Sequence, residues 1–131
     1  MRYVLAIIGE EGGMEDATPE QMQEVMGAWQ AYTDELRDSG AFVAGEGLAP
    51  TANATTVRVG DGGERTVTDG PFAETKEQLG GFYLIECDNL DQALDWAKKI
   101  PARGGAIEVR PVMDYEAAGM DEPAAQEASA S

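Results

Sequence analysis

Histidine is absent from the 131 residues of this chain. The chain therefore supplies no histidine general base, no Ser–His or Cys–His nucleophilic pair, and no histidine ligand for a metal ion or a haem. Carboxylates, lysine, tyrosine and cysteine are the groups left for acid–base chemistry. Any catalytic hypothesis for this protein has to be built on those side chains.

Cysteine and basic residues are scarce as well. The single cysteine, Cys87, excludes an internal disulfide, and its place in an apolar run predicts a buried thiol that is not a nucleophile. Nine basic against 25 acidic residues give a net charge of −16, which repels nucleic acid phosphates and anionic membranes. We therefore expect neither nucleic-acid nor membrane binding.

Long apolar runs are missing too. The apolar segment 3–8 is far shorter than the ~20 residues that span a membrane, and no signal-peptide pattern follows it. These absences predict a soluble, cytoplasmic protein. A hydrophobic content of 43% is typical of a folded chain, and 131 residues suffice for one domain with a core.

Apolar periodicity predicts strands and two amphipathic helices. Thr18, Pro19 and Gln21 form a helix start with a capping box, and Gly40 is a typical helix end. The predicted elements are strands at 3–8, 41–48, 82–87 and 106–112, hairpin strands at 55–59 and 65–68, and helices after Thr18 and Asn89. From residue 114 the chain becomes rich in Ala, Glu and Ser. We predict a folded domain over 1–113 and a flexible acidic tail over 114–131.

Without the hairpin, the element order is βαββαβ, which predicts an α+β fold of the ferredoxin-like type. The hairpin and residues 68–81 are then an insertion between the second and third core strands. The first and third core strands are apolar on both faces. Since a large apolar face does not stay in water, we expect a homodimer in which two such sheets face each other.

The inserted stretch is dense in polar chemistry. Asp69-Gly70 is a turn dipeptide, Pro71 fixes the backbone after it, and an aromatic residue follows at Phe72. Glu74, Lys76 and Glu77 come next within four positions, and Gly80-Gly81 lead into the third core strand. Placed beside a sheet that is buried on both faces, this stretch is expected to form the rim of a cleft.

The motif Asp69-Gly70-Pro71-Phe72 resembles that of the YCII-related proteins, in the branch named after its Asp-Gly-Pro-Phe (DGPF) sequence. The resemblance also rests on Gly80-Gly81-Phe82 and on residues 107–112, and covers about residues 1–113. It implies a ferredoxin-like fold and a dimeric α+β barrel, but no settled activity. The His–Asp pair proposed for related proteins does not carry over, because this chain has no histidine. Many members are encoded beside extracytoplasmic-function sigma factors, which implies a link to stress regulation.

The first function hypothesis is a small-molecule enzyme or binder with its cleft between the DGPF stretch and the sheet. In the last strand, Glu108 and Arg110 alternate with the apolar Ile107 and Val109, so they share the second sheet face. Partly buried charges need partners, and Lys76 suits a carboxylate there. The catalytic candidates are Asp69, Lys76 and Glu108; the candidate ligand contacts are Tyr3, Phe72, Glu74, Glu77 and Arg110. The alternative is that these ions pair only with one another and hold the insertion on the sheet.

Other function classes stay open, and the sequence does not decide whether the protein is an enzyme. A non-catalytic regulatory protein would use its acidic surface to bind a basic partner such as a sigma factor. A monooxygenase, haem-dependent or cofactor-free, is suggested by analogy with other α+β barrels, although the missing histidine removes the usual haem ligand. Asp69, Glu74, Glu77 and Glu108 carry oxygen ligands for Mg²⁺ or Ca²⁺, but their spacing matches no known loop. We predict no metal and no cofactor.

Overall fold

The computed structural model describes residues 1–120, so most of the predicted acidic tail lies outside the described residues. Within 1–120 the order of elements follows the sequence pattern. The elements are β1 (Arg2–Glu10), α1 (Pro19–Ser39), β2 (Phe42–Gly47), a 3₁₀ turn (Thr51–Asn53), β3 (Thr55–Val59), β4 (Arg65–Asp69), β5 (Glu77–Glu86), α2 (Leu90–Lys99) and β6 (Ala106–Pro111). The predicted α+β class is therefore confirmed.

Four strands form the main sheet in the order β2-β5-β1-β6, with every neighbouring pair antiparallel. The two central strands, β1 and β5, are the long apolar ones, and Leu5 of β1 lies opposite both Tyr83 of β5 and Val109 of β6. β3 and β4 pair only with each other, as the predicted hairpin. The hairpin is inserted between β2 and β5, as expected.

Both helices begin at side-chain caps. The Thr18 hydroxyl accepts a hydrogen bond from the Gln21 backbone N–H at 3.1 Å, and the Gln21 side chain accepts one from the Thr18 N–H at 2.9 Å. The Asn89 side chain accepts from the Gln92 N–H at 3.0 Å, which caps α2. α1 ends at Gly40, whose φ of 83° is favourable for glycine. Within residues 1–120, no helix combines the length and apolarity needed to cross a membrane.

The core lies between the two helices and one face of the main sheet. Leu5, Leu36 and Ile85 are completely buried there, and they come from β1, α1 and β5. The other face of the sheet has no helix over it. Its apolar side chains are only half-buried; they include Val4, Ala6, Ile8, Phe82 and Leu84. One face of the sheet thus forms the core while the other presents apolar surface.

A backbone hydrogen bond joins the two ends of the insertion where it leaves the sheet. The backbone N–H of Leu48, just after β2, donates to the carbonyl of Gly80 in β5 at 2.9 Å. Higher up, the Gly70 N–H donates to the Ala54 carbonyl at 2.8 Å, and the Thr56 hydroxyl donates to the Gly70 carbonyl at 2.7 Å. These bonds tie the turn after β4 to the start of β3. The hairpin's own valines, Val57, Val59 and Val67, are exposed.

Candidate functional site

The DGPF turn has the conformation that its sequence predicts. Gly70 follows β4 with φ of 107°, a backbone that residues with a side chain rarely adopt, and Pro71 comes directly after it. The Arg58 guanidinium lies 5.3 Å from the centroid of the Phe72 ring and donates to the Phe72 carbonyl at 3.1 Å. The turn therefore packs against β3 rather than against the main sheet.

Beside this turn lies an open depression of about 510 Å³, here called the insertion cleft. Its lining includes Thr51, Gly70, Pro71, Glu74, Lys76 and Gln78. Glu11, in the loop after β1, accepts hydrogen bonds from the N–H and the hydroxyl of Thr51 at 2.8 and 2.7 Å. Among residues 1–120, no carboxylate lies within 4.0 Å of the Lys76 ammonium group. Within the part of the chain that the structure describes, the cleft thus offers one cation, Lys76, without a carboxylate partner, and Glu74 lines the same cleft.

The other predicted residues of the inserted stretch do not line the insertion cleft. Asp69 ends β4 opposite Thr55 and is exposed, and Phe72 is 75% exposed and does not line the cleft. Glu77 begins β5 opposite Glu10 and is also exposed. The structure therefore brings Glu74 and Lys76 together and leaves Asp69, Phe72 and Glu77 outside this cleft.

Glu108 and Arg110 lie on the sheet face without helices, as their alternation predicts. Glu108 is opposite Ala6, and the carboxylate of Glu108 is 3.9 Å from the Arg110 guanidinium. Both side chains are more than half exposed, so this ion pair is solvated. Neither residue lines the insertion cleft, and Glu108 makes no ion pair with Lys76. The three catalytic candidates are not assembled in one cleft of this chain, and their roles stay predictions.

Tyr3 lies on the opposite face of β1 from Glu108 and Arg110. It is 3% exposed, belongs to the core under the helices, and its hydroxyl lies 3.7 Å from the Met1 sulfur. A side chain in this position contacts neither the open sheet face nor the insertion cleft. Tyr3 is therefore a core residue, and its predicted ligand contact has no support in the single chain.

A second cleft, of about 380 Å³, lies between α1 and the edge of the sheet formed by β2 and β5. We call it the α1 cleft; its lining includes Trp29, Thr33, Arg37, Phe42, Gly47 and Tyr83. Trp29, Thr33 and Arg37 are spaced by four residues, so they form one stripe of α1, about 12 Å long at 1.5 Å per residue. Trp29 also shares the apolar face of α1 with the buried Tyr32 and Leu36, and the cleft was not predicted from the sequence.

The contacts along the α1 cleft fix which strand residue faces each helix residue. The Arg37 guanidinium lies 4.7 Å from the Phe42 ring centroid, where β2 begins. In the middle, the Thr33 and Tyr83 hydroxyl oxygens are 2.7 Å apart. Phe42 is the first residue of β2 and lies at the Arg37 end of the cleft. Gly47, the last residue of β2, therefore lies toward the other end of the cleft, where Trp29 is. The cleft thus has an arginine at one end, a tyrosine hydroxyl in the middle and an indole at the other end.

The hydrogen of the Thr33 hydroxyl is already used within α1. Thr33 donates to the Trp29 carbonyl at 3.0 Å, and a hydroxyl has one hydrogen to give. The Tyr83 hydroxyl is therefore the donor in its 2.7 Å bond to Thr33. As a result, the lone pairs of the Tyr83 oxygen are left to accept a further hydrogen bond.

Glycines determine how much of the α1 cleft is empty. A Cβ atom at Gly45 would lie 2.7 Å from the Tyr83 ring, and one at Gly81 would lie 2.8 Å from the Glu46 carbonyl oxygen. Those two glycines allow the strands and the tyrosine ring to pack. A Cβ atom at Gly47 would meet no atom within 4 Å. The open space of the cleft therefore extends over Gly47.

Two titratable groups near the core stay protonated. Burial, with smaller contributions from Tyr83 and Glu35, raises the pKa of Tyr32 above its usual range, and the Tyr32 hydroxyl donates to the Trp96 carbonyl at 2.8 Å. Burial also raises the pKa of the Cys87 thiol, which is half-buried after β5. Both are therefore poor bases or nucleophiles. Within residues 1–120, no group of three or more Cys, Asp or Glu side chains is arranged to hold a metal ion.

Comparison with known proteins decides the family. The model of the YCII-related domain matches residues 1–116. This chain belongs to the YCII-related family. The match spans both clefts and every predicted site residue. A protein of Rhizobium meliloti (strain 1021), named as uncharacterized, is 39% identical over 119 residues, which cover 88% of this chain and 95% of that protein. The predicted YCII relationship is thus confirmed.

Proposed function

We propose that this YCII-related protein binds a small organic molecule in the α1 cleft. The observation that carries the proposal is a space of about 380 Å³ whose lining is mostly apolar and aromatic and includes Thr33 and Tyr83, whose hydroxyl oxygens lie 2.7 Å apart. Ligand sites are typically concavities of this size with few polar groups that orient the ligand. The insertion cleft is wider and more polar, and its charged lining is solvent-exposed.

An NMR screen tests this proposal directly. A broad panel of soluble small molecules is added to ¹⁵N-labelled protein, and the indole N–H signals of Trp29 and Trp96 are followed. Trp29 lines the cleft, whereas Trp96 packs against Tyr32 and does not. We expect some compounds to shift the Trp29 signal while the Trp96 signal stays in place. A panel that leaves Trp29 unchanged at millimolar concentration would contradict the proposal.

The insertion cleft is a second candidate site, because Lys76 lies there beside Glu74 and pairs with no carboxylate among residues 1–120. A carboxylate or phosphate ligand would match this lysine. In that case Lys76 would contribute the acid–base chemistry predicted for it from the sequence, whereas Asp69 and Glu108 lie outside this cleft. Titration with small carboxylates, in the wild type and in Lys76→Ala, tests this alternative; equal binding by both proteins would remove it.

We also propose the finer fold that the sequence predicts: a ferredoxin-like domain of the DGPF branch that dimerises as an α+β barrel. The strand order β2-β5-β1-β6 and the position of both helices on one face support this arrangement. The half-buried side chains of the other face, among them Val4 and Leu84, support a second copy as its cover.

A regulatory role without chemistry is the proposal from a different class. The net charge of −16 supports a basic protein partner, such as an extracytoplasmic-function sigma factor. A pull-down from the host at low and at high salt tests it, since an electrostatic complex should weaken with salt. Recovery of no protein partner at either salt concentration would count against this role.

A further inference from the structure

The Tyr83 hydroxyl gives the α1 cleft a defined polarity. Tyr83 is 8% exposed, and its hydroxyl hydrogen is committed to Thr33, because Thr33 in turn donates to the Trp29 carbonyl. Among residues 1–120, no donor is assigned to the lone pairs of the Tyr83 oxygen. A ligand in the cleft therefore meets an acceptor at this point, and a ligand group that donates a hydrogen bond fits it.

Beyond Tyr83, two paired glycines, Gly47 and Gly81, line the α1 cleft. Gly47 pairs with Gly81 across the two strands, so neither residue raises a side chain on the face toward α1. The site of a Cβ atom at Gly47 has no neighbour within 4 Å, and Trp29 lines the same end. A thin, flat group fits between an indole and a glycine backbone, and aromatic rings gain additional energy from such contacts.

We infer that the α1 cleft selects an uncharged aromatic compound that donates a hydrogen bond to the Tyr83 oxygen, of the phenol or naphthol class. This inference rests on the proposed function and adds the chemical class of its ligand. The volume of about 380 Å³ accommodates a compound of one or two rings. Arg37 and Glu46 both line the cleft, so its own charges offset each other, and the net charge of −16 disfavours anionic ligands at long range, which favours the neutral phenol.

Three probe compounds separate the features of this ligand class. 2-Naphthol has the flat rings and the donor, 2-methoxynaphthalene has the rings without the donor, and cyclohexanol has a donor without aromatic rings. Each is titrated into ¹⁵N-labelled protein while the indole signals of Trp29 and Trp96 are followed. We expect 2-naphthol to shift the Trp29 signal and to bind about three- to tenfold more tightly than 2-methoxynaphthalene, the range that one net hydrogen bond supplies. We expect no shift with cyclohexanol.

One variant and its matched control test where the ligand ring binds, and a third variant tests whether the ligand donates its hydrogen bond to Tyr83. Gly47→Leu extends a side chain into the open space from a Cβ site that has no neighbour within 4 Å, so we expect it to lower the affinity for both naphthalenes at least tenfold. Gly13→Leu is the matched control, because Gly13 also has no atom within 4 Å of its Cβ site and lies in the loop before α1. Tyr83→Phe should abolish the preference for 2-naphthol while retaining the binding of both compounds. Unchanged ¹⁵N spectra outside the cleft verify that each variant is folded.

The outcomes separate this inference from the proposed function. Equal affinities for 2-naphthol and 2-methoxynaphthalene, or an unchanged preference in Tyr83→Phe, would overturn the role of the Tyr83 acceptor. Binding of cyclohexanol alone would overturn the aromatic class, although the cleft would still be a binding site. If none of the three probes shifts Trp29 while other compounds of the broad panel do, the inference fails and the proposed function stands. If no compound of any kind shifts Trp29, both fail.

Discussion

The hydroxyl oxygens of Thr33 and Tyr83 lie 2.7 Å apart and join α1 to β5 across 50 residues of chain. Thr33 is the acceptor in this bond, because its own hydrogen goes to the Trp29 carbonyl. The hydrogen bond is therefore donated by Tyr83 of the strand and accepted by Thr33 of the helix. It also sets the middle of the α1 cleft, where a ligand would meet the Tyr83 oxygen.

The direction of this bond predicts unequal costs for removing its two members. Thr33→Val leaves the partly buried Tyr83 donor without an acceptor, so we expect a loss of about 1–3 kcal/mol in the free energy of unfolding. Tyr83→Phe leaves Thr33 with its bond to Trp29, and we expect a smaller loss of about 0.5–1.5 kcal/mol. Urea denaturation measures both. A larger loss in Tyr83→Phe than in Thr33→Val would contradict the assigned direction.

The packing of Tyr83 against β2 predicts that Gly45 does not tolerate a side chain. In Gly45→Ala the new methyl group would lie 2.7 Å from the Tyr83 ring, so we expect a loss of about 1–3 kcal/mol in stability. The matched control is Gly47→Ala, two residues along the same strand, where the added methyl group meets no atom within 4 Å. We expect that control to stay within about 0.5 kcal/mol of the wild type, or to be slightly stabilised. Equal effects of the two substitutions in thermal or urea unfolding would show that Tyr83 does not need the space.

The separation of Lys76 from Glu108 predicts that they do not stabilise each other within one chain. A double-mutant cycle of Lys76→Ala and Glu108→Ala should give a coupling energy within about 0.3–0.5 kcal/mol of zero, since distant sites are additive. The exposed pair of Glu108 and Arg110 serves as a reference, for which we expect at most about 1 kcal/mol. The cycle is measured by urea denaturation. A coupling of more than about 1 kcal/mol between Lys76 and Glu108 would contradict their separation.

The apolar sheet face predicts a dimer that a charge can break. Light scattering at micromolar concentration should give a mass of twice 13.9 kDa. Leu84→Lys places an ammonium group in the centre of the open face, and we expect it to halve that mass. Met26→Lys is the control, because Met26 is 65% exposed on α1 and away from that face. A monomeric wild type, or a dimeric Leu84→Lys variant, would refute the proposed interface.

The buried hydroxyl of Tyr32 predicts a loss of stability in alkali. In the unfolded chain, the pKa of a tyrosine is about 10. In the folded chain, burial raises the pKa of Tyr32 above that value. The unfolded chain therefore loses this proton first, so the contribution is present below pH 10 and falls as the pH rises above it. Tyr32→Phe should make the urea midpoint fall less steeply between pH 9 and 11. Tyr115→Phe, near the end of the described chain, is the control; the same slope in wild type and Tyr32→Phe would contradict the prediction.

The elements of the fold were predictable because their signals are local. The capping box of Thr18 and Gln21, the helix end at Gly40 and the turn at Gly70 each depend on a few neighbouring residues. The alternation of Ile107 and Glu108 in the last strand also places them on opposite faces, as expected. Such features require no knowledge of what the segment packs against.

The α1 cleft was not predictable, because it depends on pairings between distant segments. Trp29 lies in the same helical stripe as Tyr32 and Leu36, and the spacing does not show where the sheet ends beneath that stripe. Gly45 and Gly47 look alike in the sequence, yet the first faces the Tyr83 ring and the second faces open space. The expected meeting of Lys76 with Glu108 depended on distant pairings of the same kind, and the structure places the two residues apart.

The hydrogen bond between the Leu48 N–H and the Gly80 carbonyl has a consequence for how such a chain can diversify. It brings the two ends of the hairpin insertion together at one point on the sheet. The part of it that precedes β5, residues 49–76, can therefore lengthen, shorten or be exchanged without moving β2 or β5, since the entropy of closing a loop changes slowly with its length. The α1 cleft lies on the sheet side of that junction and the insertion cleft on the other, so the two clefts are free to evolve independently.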